Sequence, residues 1–64
     1  MRIFVAPRSL VAGELAITGD EHHYLGRARR AAVGDAVELV DGEGRRADAR
    51  IIAMTDDVTT VRAE

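Results

Sequence analysis

The sequence predicts a mainly β domain: a small, partly closed barrel of about five strands carrying one helix. Three observations lead there. Short runs alternating apolar and polar residues recur along the chain, bounded by turns rich in glycine and aspartate. A single stretch before the middle has helical spacing and helix-start chemistry instead. With 64 residues, one Phe, one Tyr and no Trp, the chain has material for one domain with a thin aliphatic core.

The elements follow in order. Residues 2–5 read as a first strand, closed by Ala6-Pro7, and a connection over residues 9–13 follows. Residues 14–18 alternate, with Leu15 and Ile17 pointing one way and Glu14 and Thr18 the other. Thr18-Gly19-Asp20-Glu21 has capping-box spacing, and Asp20 is a rival cap two residues on. Both acids fall at the positive end of the helix dipole. The helix is expected to run to about Ala32, with Gly34 as the left-handed residue that ends it. Residues 36–40 form the next strand, with Val37 and Leu39 on one face. Asp41-Gly42-Glu43-Gly44 is the strongest turn signal and makes a hairpin with residues 46–55. In that long strand Ala47, Ala49, Ile51 and Ala53 share one face; Asp48, Arg50, Ile52 and Met54 share the other. The second face turns from charged to apolar midway, as in a strand that curves from solvent into a barrel closure. Asp56-Asp57 is a further turn, and residues 58–62 are the last strand.

The helix carries the functional signal. At 100° per residue, His23, Arg27 and Arg30 fall at about 0°, 40° and 340°, nearly in line. Tyr24, Leu25, Ala28, Ala31 and Ala32 fill a separate arc that would lie on the barrel. Arg29 borders that arc, where its stem can pack while its head reaches solvent. A helix built this way offers a basic row to phosphates. Arg2, Arg8, Arg45 and Arg46 are candidates to extend it.

Composition narrows the alternatives. The net charge of −2 argues against a generally sticky basic protein, yet every one of the nine basic residues is arginine, the side chain that grips phosphate bidentately and stacks on bases. No cysteine is present, so disulfide and thiolate chemistry are absent. No apolar run approaches the roughly 20 residues that span a bilayer, and no signal peptide is recognisable, so a cytoplasmic protein without membrane attachment is expected. His22 and His23, adjacent on a helix, diverge by about 100° and are poorly placed to share a metal ion. Acid–base work by His23 with Asp20 or Glu21 lacks a visible nucleophile, so no catalytic residue is assigned. Gly42-x-Gly44 is turn chemistry, because no strand-glycine-helix order surrounds it.

The segment Gly19-Asp20-Glu21-His22-His23-Tyr24-Leu25-Gly26-Arg27-Ala28-Arg29-Arg30 with Gly34-Asp35 also carries a resemblance. It resembles the amino-terminal, PUA-like domain of the ribosomal RNA small subunit methyltransferase E family, whose pattern is roughly Gly-Asp-Glu-x-His-His-Leu-x-x-Val-Leu-Arg, then Gly-Asp, a strand and Asp-Gly-x-Gly. Gly19, Asp20, Glu21, His23, Leu25 and Arg30 match, as do Gly34, Asp35, Asp41, Gly42 and Gly44, and the opening Met1-Arg2-Ile3-Phe4-Val5 is similar. Tyr24 stands where the family has its second histidine, and Ala28-Arg29 replaces Val-Leu.

The resemblance spans residues 1–64 and implies a PUA-like RNA-binding domain. It implies that the chain is a fragment of a protein that methylates N3 of a uridine in 16S rRNA. S-adenosylmethionine would be bound by a separate carboxy-terminal knotted domain, the full-length protein would be a homodimer, and the partner would be 16S rRNA or the small ribosomal subunit. This fragment alone is then not an enzyme and holds no cofactor or metal. On that reading His23, Arg27 and Arg30 contact RNA, helped by Arg29, Arg2 and Arg8. Two alternatives stay open: a protein-interaction or oligomerisation barrel with no RNA role, and a module from another RNA-modifying enzyme.

Overall fold

The alternating runs pair into one five-stranded sheet in the computed structural model, which describes residues 1–6 and 13–63. The strands are β1 (Arg2–Phe4), β2 (Gly13–Ile17), β3 (Ala36–Val40), β4 (Arg46–Met54) and β5 (Thr59–Ala63), in sheet order β1-β3-β4-β5-β2. β1 lies parallel to β3, and every other neighbouring pair is antiparallel. β1 and β2 are the sheet edges, so the barrel is partly open, as the sequence predicts. A cleft of about 160 Å³ separates them, lined by Phe4, Val5, Leu15, Ile17 and Glu21 among others. Arg8 and the predicted 9–13 connection, up to residue 12, lie outside the described residues.

The period-2 pattern fills the interior. Ile3, Ile17, Val37, Leu39, Ala49, Ile51, Val61 and Ala63 point inward, and Leu25 caps them from the helical segment. Leu15, Ala31 and Met54 pack at the margin. Met54 does so because the pleat slips. Ile51 pairs with Val61 but Ala53 pairs with Thr60, so Ile52 and Ala53 together face one residue of β5. The bulge reverses the facing of everything after it. Ala53, predicted on the inner face, is therefore exposed, and Met54 takes the inner side.

The predicted β3–β4 hairpin turn is held by a buried carboxylate. Asp41 Oδ1 accepts the amides of Glu43 (2.7 Å) and Arg45 (3.1 Å), and Oδ2 accepts Arg45 Nε at 2.8 Å. Gly42 and Gly44 supply φ values of +78° and +92°, where a side chain would be strained. Those bonds hold the Asp41 carboxyl below the usual carboxylate range, the Glu43 amide contributing most, against a desolvation cost that acts the other way.

The helical segment departs furthest from expectation. α1 (Gly19–His23) runs directly into a π-helical turn, Tyr24–Ala28, and helix ends there rather than near Ala32. The predicted capping box does not form: Thr18 makes no side-chain cap bond, and Gly19 follows it at φ +65°. At the far end the Arg29 amide reaches the Tyr24 carbonyl (3.1 Å) and the Ala31 amide the Leu25 carbonyl (2.8 Å). Arg30, at φ +49°, is the left-handed residue between them; Gly34 is at positive φ as expected (+99°) but lies beyond the helix end rather than closing it. Tertiary bonds explain the early stop. The Gly34 amide donates to the Ile51 carbonyl (2.8 Å), and the Ile51 amide to the Asp35 carbonyl (2.9 Å). Asp35 Oδ2 accepts the Ala32 amide at 2.9 Å. Gly34 and Asp35 are thereby held on β4 and cannot continue a helix.

Candidate nucleic-acid interface

Of the predicted inward arc, Leu25 is buried and Ala31 packs at the core margin, whereas Tyr24, Ala28 and Ala32 are exposed; His22, one turn before Leu25, completes the buried side instead. His22 anchors it. The Asp56 carbonyl can only accept, so Nε2 carries the proton and donates to it at 2.9 Å. Nδ1 then accepts from the Thr59 hydroxyl at 2.8 Å, and Thr59 is fully buried. Both ring nitrogens are therefore occupied by the β4–β5 turn and β5. The His23 ring lies 5.6 Å away, tilted by 55°, on the exposed side. Among the described residues no group of three or more His, Cys, Asp or Glu could hold a metal ion.

With His22 and Leu25 inward, the predicted basic residues face solvent. His23, Arg27, Arg29 and Arg30 are all exposed. Arg30 lies past the helix end, so the three-residue row is not a straight helical stripe but a ridge that bends at a left-handed corner. The other described arginines are engaged. Arg2 donates from Nε to Glu38 at 2.8 Å, and Arg46 reaches the same carboxylate at 3.3 Å. The Arg2 bond and both positive charges hold the Glu38 carboxyl below its ordinary range. Arg45 pairs with Asp41, Arg62 with Glu14 (2.8 Å), and Arg50 donates to the Gly34 carbonyl (2.7 Å). Among the described residues, the side chains of Arg27, Arg29 and Arg30 make no ion pair or hydrogen bond.

Sequence reasoning missed three positions. His22 entered only as a metal candidate, although its i,i+3 spacing to Leu25 marks the inner face. Tyr24 was placed toward the barrel and is instead exposed at 41%. Phe4 is 63% exposed, as the alternation of Arg2, Ile3 and Phe4 along β1 requires once Ile3 is in the core.

Solved structures share this architecture. A crystal structure of a hypothetical protein superposes with a TM-score of 0.83 at 21% identity, over 98% of this chain and 27% of that one. A Legionella pneumophila protein, Lpg2936, described as a methyltransferase and solved with bound SAM, gives 0.86 at 19% identity, over 97% of this chain and 26% of its own. The chain thus spans about a quarter of the length of either, and at these identities the likeness establishes the fold. No curated protein matches the sequence. Residues 17–61, from the end of β2 to the middle of β5, match the RNA methyltransferase PUA domain, and the chain belongs to that family.

Proposed function

We propose that this domain holds RNA for a methyltransferase, and that His23, Arg27, Arg29 and Arg30 form the phosphate-gripping part of its surface, with Arg2 and Arg8 as outlying contacts. The observation that carries the reading is the run of three exposed guanidinium groups with no carboxylate partner among the described residues, in a chain whose other described arginines are engaged. A solvated helix face in a protein of net charge −2 has neighbouring acids to draw on. This one pairs its arginines with no acid among the described residues. The carbonyl end of the helix carries partial negative charge, which three arginines outweigh.

The substrate we propose is 16S rRNA or the small ribosomal subunit, and the reaction is methylation of a uridine at N3. The family supports an RNA methyltransferase, and the residues matching the methyltransferase E pattern support this substrate. The SAM-bound neighbour supports S-adenosylmethionine as methyl donor. The described clefts stand open on the surface and do not fit a cofactor that must be enclosed, so no chemical step is assigned to these residues. A carboxy-terminal catalytic domain, homodimerisation through it and a cytoplasmic location complete the proposal. No helix among the described residues is long and apolar enough to cross a membrane.

The test is affinity for single-stranded RNA. Arg27→Ala with Arg30→Ala is expected to weaken binding about tenfold near physiological salt, while Arg62→Ala, whose cation is already paired with Glu14, changes little. Equal effects of the two changes would contradict the assignment.

A further inference from the structure

Both aromatic side chains of this chain stand outside its core. The interior is built of Ile, Leu, Val and Ala, while the single Phe and single Tyr are 63% and 41% exposed. A domain this small gains much from burying an aromatic ring, so two rings left in solvent need another explanation. They line one cleft of about 310 Å³, together with Arg2, Ile3, Asp20 and Glu21. Phe4 and Arg2 also line an adjoining cleft of about 300 Å³ that reaches Gly42, Gly44 and Arg46.

Three charged residues share the lining of the first cleft with the rings. Arg2 is hydrogen-bonded through Nε to Glu38, which fixes its guanidinium, and its Nη groups make no hydrogen bond among the described residues. In the same lining, the carboxylates of Asp20 and Glu21 make no hydrogen bond or ion pair among the described residues and remain open acceptors. An apolar protein segment seated there would strip water from the Asp20 and Glu21 carboxylates without pairing them. A nucleobase matches the whole set: a π-face for the rings, donor groups for the carboxylates, and a phosphate for Arg2.

We propose that the cleft between Phe4 and Tyr24 holds one unpaired nucleobase bearing an exocyclic amino group. The base stacks on the rings, and its amino group donates to Asp20 or Glu21, as a cytosine amino group does to a carboxylate. The neighbouring phosphate lies on Arg2. This inference rests on the RNA-binding reading above and adds base selection to it. Uracil, with a carbonyl in place of that amino group, is disfavoured here. The selected base is therefore a neighbour of a methylated uridine, not the uridine itself.

Because the chain has one Phe and one Tyr, their ring signals in an NMR spectrum are assigned without ambiguity. The chain is titrated with oligocytidylate, oligouridylate and an RNA duplex. Upfield movement of both ring signals with oligocytidylate is expected, with about fivefold preference for it over oligouridylate. Phe4→Ala and Tyr24→Ala are each expected to weaken oligocytidylate binding about tenfold and leave duplex binding unchanged. Asp20→Asn with Glu21→Gln is expected to erase the preference, a ratio in which the general gain from removing negative charge cancels. Rings that stay still while Arg27 and Arg30 remain essential would overturn the base site and leave the arginine reading standing. Equal binding of the two homopolymers would also overturn it, as would ring signals that move only with protein concentration, which would assign the cleft to a second copy. A chain that binds no RNA contradicts both readings.

Discussion

At the residue scale, two polar side chains carry more of the structure than their types advertise. His22 joins the helical segment to the β4–β5 turn, and its loss would leave the fully buried Thr59 hydroxyl without this partner. His22→Ala is therefore expected to cost about 1–3 kcal/mol in a urea titration; a cost near zero would show that the clasp contributes nothing. Asp41 and Glu38 set an acid limit. Both carboxyls lie below their ordinary range in the folded chain, so their stabilisation is present above that range, near pH 4, and is lost as pH falls below it. Asp41→Asn keeps an acceptor for the turn amides but discards the charge facing Arg45. The variant is expected to be less stable at neutral pH and to lose less on acidification, read as the unfolding midpoint between pH 7 and pH 3. None of this was visible from composition. A histidine on an apolar face is not distinguishable by sequence from a ligand until its hydrogen-bond partners are known.

At the scale of elements, local pattern and tertiary pull contend. The strands were legible because a half-buried sheet forces alternation: β3 lies where Val37 and Leu39 place it, and β2, β4 and β5 shift by a residue at most. The β4 bulge was not legible, since one extra residue leaves no compositional mark. The helix was half legible. Its start lies at Gly19, but its end is decided by Gly34 and Asp35 bonding to Ile51, a contact between positions far apart in sequence. The cost of that early stop falls on Arg30, a non-glycine residue at φ +49°. Arg30→Gly relieves the strained backbone and is expected to leave stability unchanged or raise it by up to about 1 kcal/mol. The same variant is expected to weaken RNA binding, which separates the backbone role of this position from its charge. Loss of stability in Arg30→Gly would show that the side chain itself supports the fold.

At the scale of the molecule, a thin sheet with open edges supports one surface rich in unpaired cations and another that exposes both aromatic rings. The exposure of the basic residues was legible from sequence as a group, because helical spacing brings His23, Arg27 and Arg30 to one side; of these the family pattern matches His23 and Arg30. Their lack of a carboxylate partner among the described residues was not, since pairing depends on which acids the sheet brings near: Glu38 collects Arg2 and Arg46, and Glu14 collects Arg62. The central claim is that this ridge binds a polyanion by displacing its counterions. The measurement closest to it is the salt dependence of affinity for single-stranded RNA. With about three to four phosphates neutralised, log affinity is expected to fall against log salt with a slope of about −2 to −3. Arg27→Ala with Arg30→Ala should make that slope shallower by about 1.4. A slope near zero, or one that the double substitution leaves untouched, would contradict the account.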